Sequence, residues 1–218
     1  LSPKHSEGRQ RNVKESKILK DALILFAITL IAGFGLGFVY NLTKEPIETN
    51  RNAQILKANQ AIFPAAASFE TNDELKAKVA DFENVLATAT TDFGKVTINE
   101  VLEAMDASGQ MLGYIISSTS SEGYGGDITI SLGVDASGKV TGLEFTAINE
   151  TVGFGASAVE PAFKGQFVDK TVDAFAYTKG DVTADNEIKA ISGATKTTKA
   201  VTNAVNAALY FAMNGLLK

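Results

Sequence analysis

Between Asp21 and Lys44 lie 22 residues without a charge, Ala22 to Thr43. As a helix this run would extend about 33 Å, enough to cross a hydrocarbon core of about 30 Å. Within lipid the backbone must satisfy its own hydrogen bonds, so the run predicts one transmembrane helix, roughly 22–41 within a span of 21–42. A cleaved signal has a shorter apolar region of about 7–15 residues and a small-x-small site at its end. Here the run ends in Phe38, Val39 and Tyr40. Lys4, Arg9, Arg11, Lys14, Lys17 and Lys20 precede it, whereas Lys44 and Arg51 are the nearby cations that follow. That bias predicts a cytoplasmic basic tail over 1–20 and an extracytoplasmic position for 45–218, single-pass in the cell membrane. Gly33 and Gly37 form a small-xxx-small step on the helix, which would let another helix approach closely but is also common in membrane helices.

Six cations against Glu7 and Glu15 give residues 1–20 a net +4, so the chain's −5 leaves −9 on the rest. An acidic body argues against nucleic acid, whose binding depends on neutralising phosphates. The chain has no Cys and one His, His5. This removes iron–sulfur clusters, c-type haem, structural zinc, Cys nucleophiles, and Ser-His pairs outside the extreme N-terminus. No metal site is expected, and any redox chemistry must come from an organic cofactor.

Past the membrane run, Ile47, Ala53, Ile55, Leu56, Ala61 and Ile62 recur at partly helical spacing, predicting a connecting helix that stops at Pro64 within a stalk over 43–70. From about residue 97 the period becomes two. Four strands are predicted, around 96–104, 111–118, 127–135 and 139–148, the last two joined as an antiparallel hairpin across Ala136-Ser137-Gly138-Lys139. A short amphipathic stretch follows at Val159–Phe167. Val201, Ala204, Val205, Ala208, Leu209, Ala212 and Met213 then mark a helix with one apolar face. No repeat of fixed period stands out. The fold class is α+β: one membrane helix, then a small antiparallel-sheet domain with packed helices over 71–218.

Two motifs carry chemistry. Ser192-Gly193-Ala194-Thr195 stands where a loop becomes a helix N-terminus, whose free N–H groups and dipole favour a phosphate, although Ser-Gly before a helix is also an ordinary cap. Thr195, Thr197 and Thr198 add hydroxyls, but no nearby base would make any of them a nucleophile, so no catalytic residue is expected. Some forty residues earlier runs the Gly-rich Glu150-Thr151-Val152-Gly153-Phe154-Gly155.

These motifs, in this order after a hairpin and one N-terminal membrane helix, resemble the G subunit of the Rnf complex. The related C subunit of Na+-translocating NADH:quinone reductase is similar too. The resemblance implies an FMN-binding domain whose FMN is joined through its phosphate to Thr195, with Ser192, Gly193, Ala194 and Lys196 around it. It implies that Glu150, Thr151, Gly153 and Gly155 lie near the isoalloxazine ring. Val152 and Phe154 stand where the family has Pro and Leu, and Lys189 where its pattern has Asp. The implied role is electron transfer within an ion-translocating ferredoxin:NAD oxidoreductase, a translocase that this chain would not turn over alone. The implied partners are the other membrane and redox subunits and a flavin transferase that installs the cofactor. Two other classes remain open on the sequence: a free-standing anchored flavoprotein reductase, which would work without partners, and a colourless binding module in which 192–195 is only a cap.

Overall fold

The apolar run is helical, but in a longer helix than the sequence predicts. The computed structural model describes residues 4–218, with side chains from residue 18 onward. Most of the basic tail 1–20 therefore lies outside the described side chains. Helix α1 (Lys4–Ile62) continues through Pro46. Proline ought to separate a membrane helix from a connecting one, because it lacks an N–H and crowds the carbonyl four residues back. It removes only one donor from the ladder, however, and the helix persists on both sides. Nearby, the Thr43 and Thr49 hydroxyls donate to the carbonyls of Val39 and Glu45, both at 2.9 Å. The large apolar side chains from Ile18 to Leu42 are all exposed, and α1 is the one described helix long and apolar enough to cross a membrane.

The chain divides into two units, Leu1–Ala53 and Gln54–Lys218. The predicted stalk over 43–70 is thus shared between them. Its second half belongs to the folded unit, because Asn59, Ile62 and Phe63 are buried and a short strand β1 (Ser68–Glu70) joins the sheet. After α2 (Asp73–Ala80), capped by Asn72 on the Leu75 N–H, and α3 (Phe82–Ala87), the chain enters the predicted meander. Its strands are β2 (Val96–Met105), β3 (Met111–Ser120), β4 (Ile128–Asp135) and β5 (Val140–Ala147), antiparallel in the order β1-β2-β3-β4-β5. There follow α4 (Pro161–Lys164), flanked by 3₁₀ turns, a parallel pair β6 (Ala176–Thr178) and β7 (Glu187–Lys189), and α5 (Thr195–Phe211), which ends in one wider turn over Ala212–Leu216.

Alternation along the strands sends the two faces of the sheet to different partners. Val101, Ile116, Ile130, Leu132 and Val134 meet the apolar face of α5, where Ala200, Val201, Ala204, Val205 and Ala208 are completely buried. On the opposite face Ala104 and Ile115 pack with Ile62 and Phe63. Two polar links fix α5, one to the sheet and one to the segment before β6. Ser118 donates to the Ala204 carbonyl at 3.1 Å, and buried Asn206 bonds both the N–H and the carbonyl of Phe175, at 2.7 and 2.8 Å.

The hairpins also show a repeat that the sequence reading passes over. Residues 106–113 and 135–142 both read Asp-Ala-Ser-Gly-x-x-x-Gly. In each, an Asp Oδ1 accepts from the Ser N–H, the Ser hydroxyl and the N–H four residues on. Gly109 and Gly138 take φ of +81° and +82°, and a register irregularity follows before the last Gly. At Asp106 the Ser108 hydroxyl leads in holding the carboxyl below its usual range; at Asp135 burial opposes the same effect and the Ser137 and Lys139 donors outweigh it. Both turns therefore contribute stability that is present above the ordinary aspartate range and is lost as pH falls through the lowered values.

Glycines seat the end of α1. A Cβ on Gly133 would stand 2.1 Å from the Ile62 Cγ2, and one on Gly142 would stand 3.0 Å from the Ile62 Cα. Gly133→Ala should destabilise the folded unit by about 1–3 kcal/mol through overpacking. Gly109→Ala, in open space at positive φ, should cost only about 1 kcal/mol of backbone strain. Denaturant unfolding of the two variants checks this order, and a greater loss at Gly109 would contradict the seating.

Candidate functional site

Three loops converge at one edge of the folded unit: the β3–β4 connection, the segment after β5, and the turn that leads into α5. Between them lies a cleft of about 330 Å³, which Tyr124, Glu150, Thr151, Phe154, Gly155, Gly193, Ala194, Lys196 and Thr197 line. The structure thus brings together the two motifs that lie some forty residues apart in sequence. Of the residues named from the sequence, Glu150, Thr151, Gly155, Gly193, Ala194 and Lys196 line the cleft. Thr195, the first residue of α5, is half-buried and Ser192 and Gly153 are exposed; none of these three is among the lining residues.

Close backbone approach explains the glycines. A Cβ on Gly125 would stand 1.8 Å from the Asn149 carbonyl oxygen. Glu150 Oε1 accepts from the Tyr124 N–H at 2.8 Å, so one carboxylate oxygen ties the β3–β4 connection to the segment after β5. Gly193 has φ +74°, a conformation that L side chains rarely adopt, and the Phe154 ring lies 3.1 Å from where its Cβ would be.

The helix start presents donors without acceptors. Ala194 is the N-cap residue and supplies no side-chain cap; the first helical bond runs from the Thr198 N–H to the Ala194 carbonyl at 2.9 Å. The N–H groups of Thr195, Lys196 and Thr197 have no acceptor among the described residues, and Lys196 makes no ion pair there. These donors, the dipole and the lysine favour an anion. The three threonines differ sharply. Thr198 is engaged in the scaffold, donating to the Ala194 carbonyl at 3.0 Å and accepting from the Ile191 N–H at 3.1 Å. Thr197 is 1% exposed, lines the cleft, and its hydroxyl has no partner among the described residues. Thr195 opens the helix between Ala194 and Lys196, both of which line the cleft.

Tyr124 and Phe154, the latter against Gly193, also line the cleft while 73% and 53% exposed, apolar faces that water alone would not favour. Free N–H donors, polar side chains and aromatic walls in one cleft suit a phosphorylated aromatic cofactor such as FMN, and the volume lies in the range of small-molecule sites. Sequence reasoning did not place Tyr124, Phe154 or Thr197 among the site residues. The signal for Tyr124 was available in Gly123-Tyr124-Gly125-Gly126, where glycines flank an aromatic between two strands. Thr197 could not be told from Thr198 without the helix phase and its neighbours.

A family model described as the FMN-binding domain matches residues 123–210, a stretch that contains all three cleft segments. A second, described as the RnfG N-terminal region, matches residues 12–62. Fold and site together define a protein with an FMN-binding domain behind an N-terminal apolar helix. The chain is 32% identical over 201 residues to the G subunit of the Na+-translocating ferredoxin:NAD+ oxidoreductase complex of Acetobacterium woodii, covering 90% of this chain and 92% of that protein. It is 32% identical over 197 residues to the G subunit of the proton-translocating ferredoxin:NAD+ oxidoreductase complex of Clostridium ljungdahlii, covering 87% and 92%. Among solved structures it is similar to the C subunit of the Na+-translocating NADH-quinone reductase of Parabacteroides distasonis, at 26% identity and a TM-score of 0.45 over 54% of this chain and 62% of that one. The chain belongs to the G-subunit family of the Rnf complexes.

Glu150→Ala should release the Tyr124 N–H and cost about 1.5–3 kcal/mol, the range for a hydrogen bond to a charged group. Glu150→Gln, which keeps a carbonyl acceptor, should lose clearly less. Melting curves of the two variants test the tie, and equal losses would show that the carboxylate does not hold the loop.

Proposed function

We propose that this chain is the membrane-anchored electron-relay subunit of an ion-translocating ferredoxin:NAD+ oxidoreductase, holding FMN through a phosphoester on Thr195. The observation that carries the reading is the uncapped start of α5, with Thr195 as its first residue, opening into the cleft inside the matched FMN-binding domain. The names of the G-subunit relatives supply the complex.

Bound FMN would take up and release electrons. The chain's own part is to hold and shape. The first-turn N–H groups and Lys196 neutralise the phosphate beside Thr195, and Gly193 lets the backbone come close to it. Tyr124 and Phe154 would offer aromatic faces to the flavin ring, while Glu150 and Thr151 would offer polar contacts. A flavin transferase would pass the FMN phosphoryl group from FAD to the Thr195 hydroxyl, which gives up its proton as AMP leaves; Thr195 is the acceptor of this modification and not a catalytic residue of the chain. A cofactor fixed covalently outside the cytoplasm cannot be lost where no flavin pool would replace it. The other redox and membrane subunits supply the ferredoxin and nicotinamide sites, so the purified chain should show little turnover alone.

Intact-mass measurement under denaturing conditions should find one FMN, less the water lost in esterification, on the parent chain and none on Thr195→Ala, which should fold and be colourless. Peptide mapping that places the flavin on Thr197 or Thr198, or a parent chain of unmodified mass, would defeat the Thr195 linkage.

The same reading places residues 45–218 outside the cytoplasm, by the cation bias around the membrane run. Because the chain has no Cys, Ala107→Cys, in the exposed β2–β3 turn, introduces a single thiol. An impermeant maleimide should label it in intact cells, and labelling only after permeabilisation would reverse the orientation.

A further inference from the structure

Two polar groups in the cleft are left over by the scaffold and by the anion seat. Glu150 uses Oε1 on the Tyr124 N–H, and its Oε2 has no hydrogen bond among the described residues. The Thr197 hydroxyl, in a residue 1% exposed, likewise has none. Both oxygens converge on one spot: the point where a Cβ on Gly155 would stand lies 2.5 Å from Thr197 Oγ1 and 2.6 Å from Glu150 Oε2. They make no hydrogen bond with each other, and Gly155, itself buried, keeps the space between them free of a side chain.

Both residues line the cleft, so a ligand that fills it takes water from the two oxygens, and leaving either unpaired then costs about 1–3 kcal/mol. The ligand must offer a donor to the carboxylate and an acceptor to the threonine. A phosphate is repelled by Glu150, and a hydrocarbon satisfies neither oxygen. An alcohol does both at once. We infer that Glu150 Oε2 and Thr197 Oγ1 form a clamp for a polyol chain, the ribityl hydroxyls of the flavin. The inference rests on the FMN reading and deepens it, because Thr197 shares the first turn of α5 with Thr195. A group that reaches Thr197 would therefore lie next to a phosphate on Thr195. Glu150 and Thr197 are positioning residues: they orient the chain that joins ring to phosphate and so set where the ring comes to rest.

The test uses the full-length chain in detergent carrying Thr195→Ala, so that no flavin is attached, and two free probes. These are riboflavin, which has the ribityl chain, and lumiflavin, which has a methyl group in its place. Fluorescence titration should show riboflavin binding more tightly than lumiflavin. Adding Thr197→Val, which keeps the shape and removes the hydroxyl, should weaken riboflavin about tenfold, the loss of one hydrogen bond, and leave lumiflavin unchanged. Thr197→Ser should restore the riboflavin affinity. In the flavin-free protein Thr197→Val should melt no lower than its parent, because the hydroxyl it deletes bonds no other described residue. Equal weakening of both probes, an unchanged riboflavin affinity, or a lower melting temperature would overturn the clamp and leave the flavin site standing. Failure of both probes to bind would remove the flavin reading, and the clamp with it.

Discussion

The cleft depends on where α5 comes to rest on the sheet. Its buried stripe is mostly alanine and valine, small enough for the helix to lie close over β2, β3 and β4. Apolar burial is not directional and would tolerate sliding along the helix axis. The buried polar links remove that freedom, since an unpaired Ser118 or Asn206 in this core would carry the full penalty of desolvation. With α5 fixed lengthwise, its first turn projects at a set height beside the two Gly-rich loops. A shift of one turn, about 5.4 Å, would take the free N–H groups away from the cleft.

The allocation of polar groups separates scaffold from site within a few residues. Thr198 and Glu150 Oε1 are engaged in holding loops together. The Thr197 hydroxyl, Glu150 Oε2, the first-turn N–H groups and Lys196 are not. Convergent polar groups that the scaffold leaves free on one wall of a cleft are what a polar ligand needs, which is the basis of the proposed site. The glycines act in the same place for a different reason. Gly125 and Gly155 admit neighbouring atoms where a Cβ would collide, which allows three loops to share a small volume.

Much of this architecture was legible in the chain. The four long strands follow from alternation of apolar and polar residues, the last hairpin from its turn composition, and the apolar face of α5 from three- and four-residue spacing. The membrane run follows from length and the absence of charge. What the pattern did not yield has identifiable causes. Strands β1, β6 and β7 have three residues each, too few for a period to show, and are defined only by pairing. The membrane helix and the connecting helix were read as separate segments, yet Pro46 between them removes one donor and does not end a helix supported on both sides. The paired Asp-Ala-Ser-Gly turns were visible as letters, but only their shared hydrogen bonds show them to be one structural device used twice.

By itself the sequence determined the class of chain: an uncharged run that lipid can accommodate, an acidic remainder that does not suit nucleic acid, and a lack of Cys that leaves redox chemistry to an organic group. It also determined that the turn before α5 could bind an anion, because Gly193 and the helix start are local properties. Tertiary structure alone decided which hydroxyls are available. Thr197 and Thr198 are adjacent and chemically identical, and no local rule distinguishes them. Packing against Gly155 turns one toward the cleft, and the Ile191–Ala194 turn occupies the other. The same holds for Tyr124 and Glu150, 26 residues apart, whose hydrogen bond exists only because the sheet brings their loops together. Local preference is set by neighbours along the chain, whereas a partner for a buried polar group is set by whatever the fold places across from it.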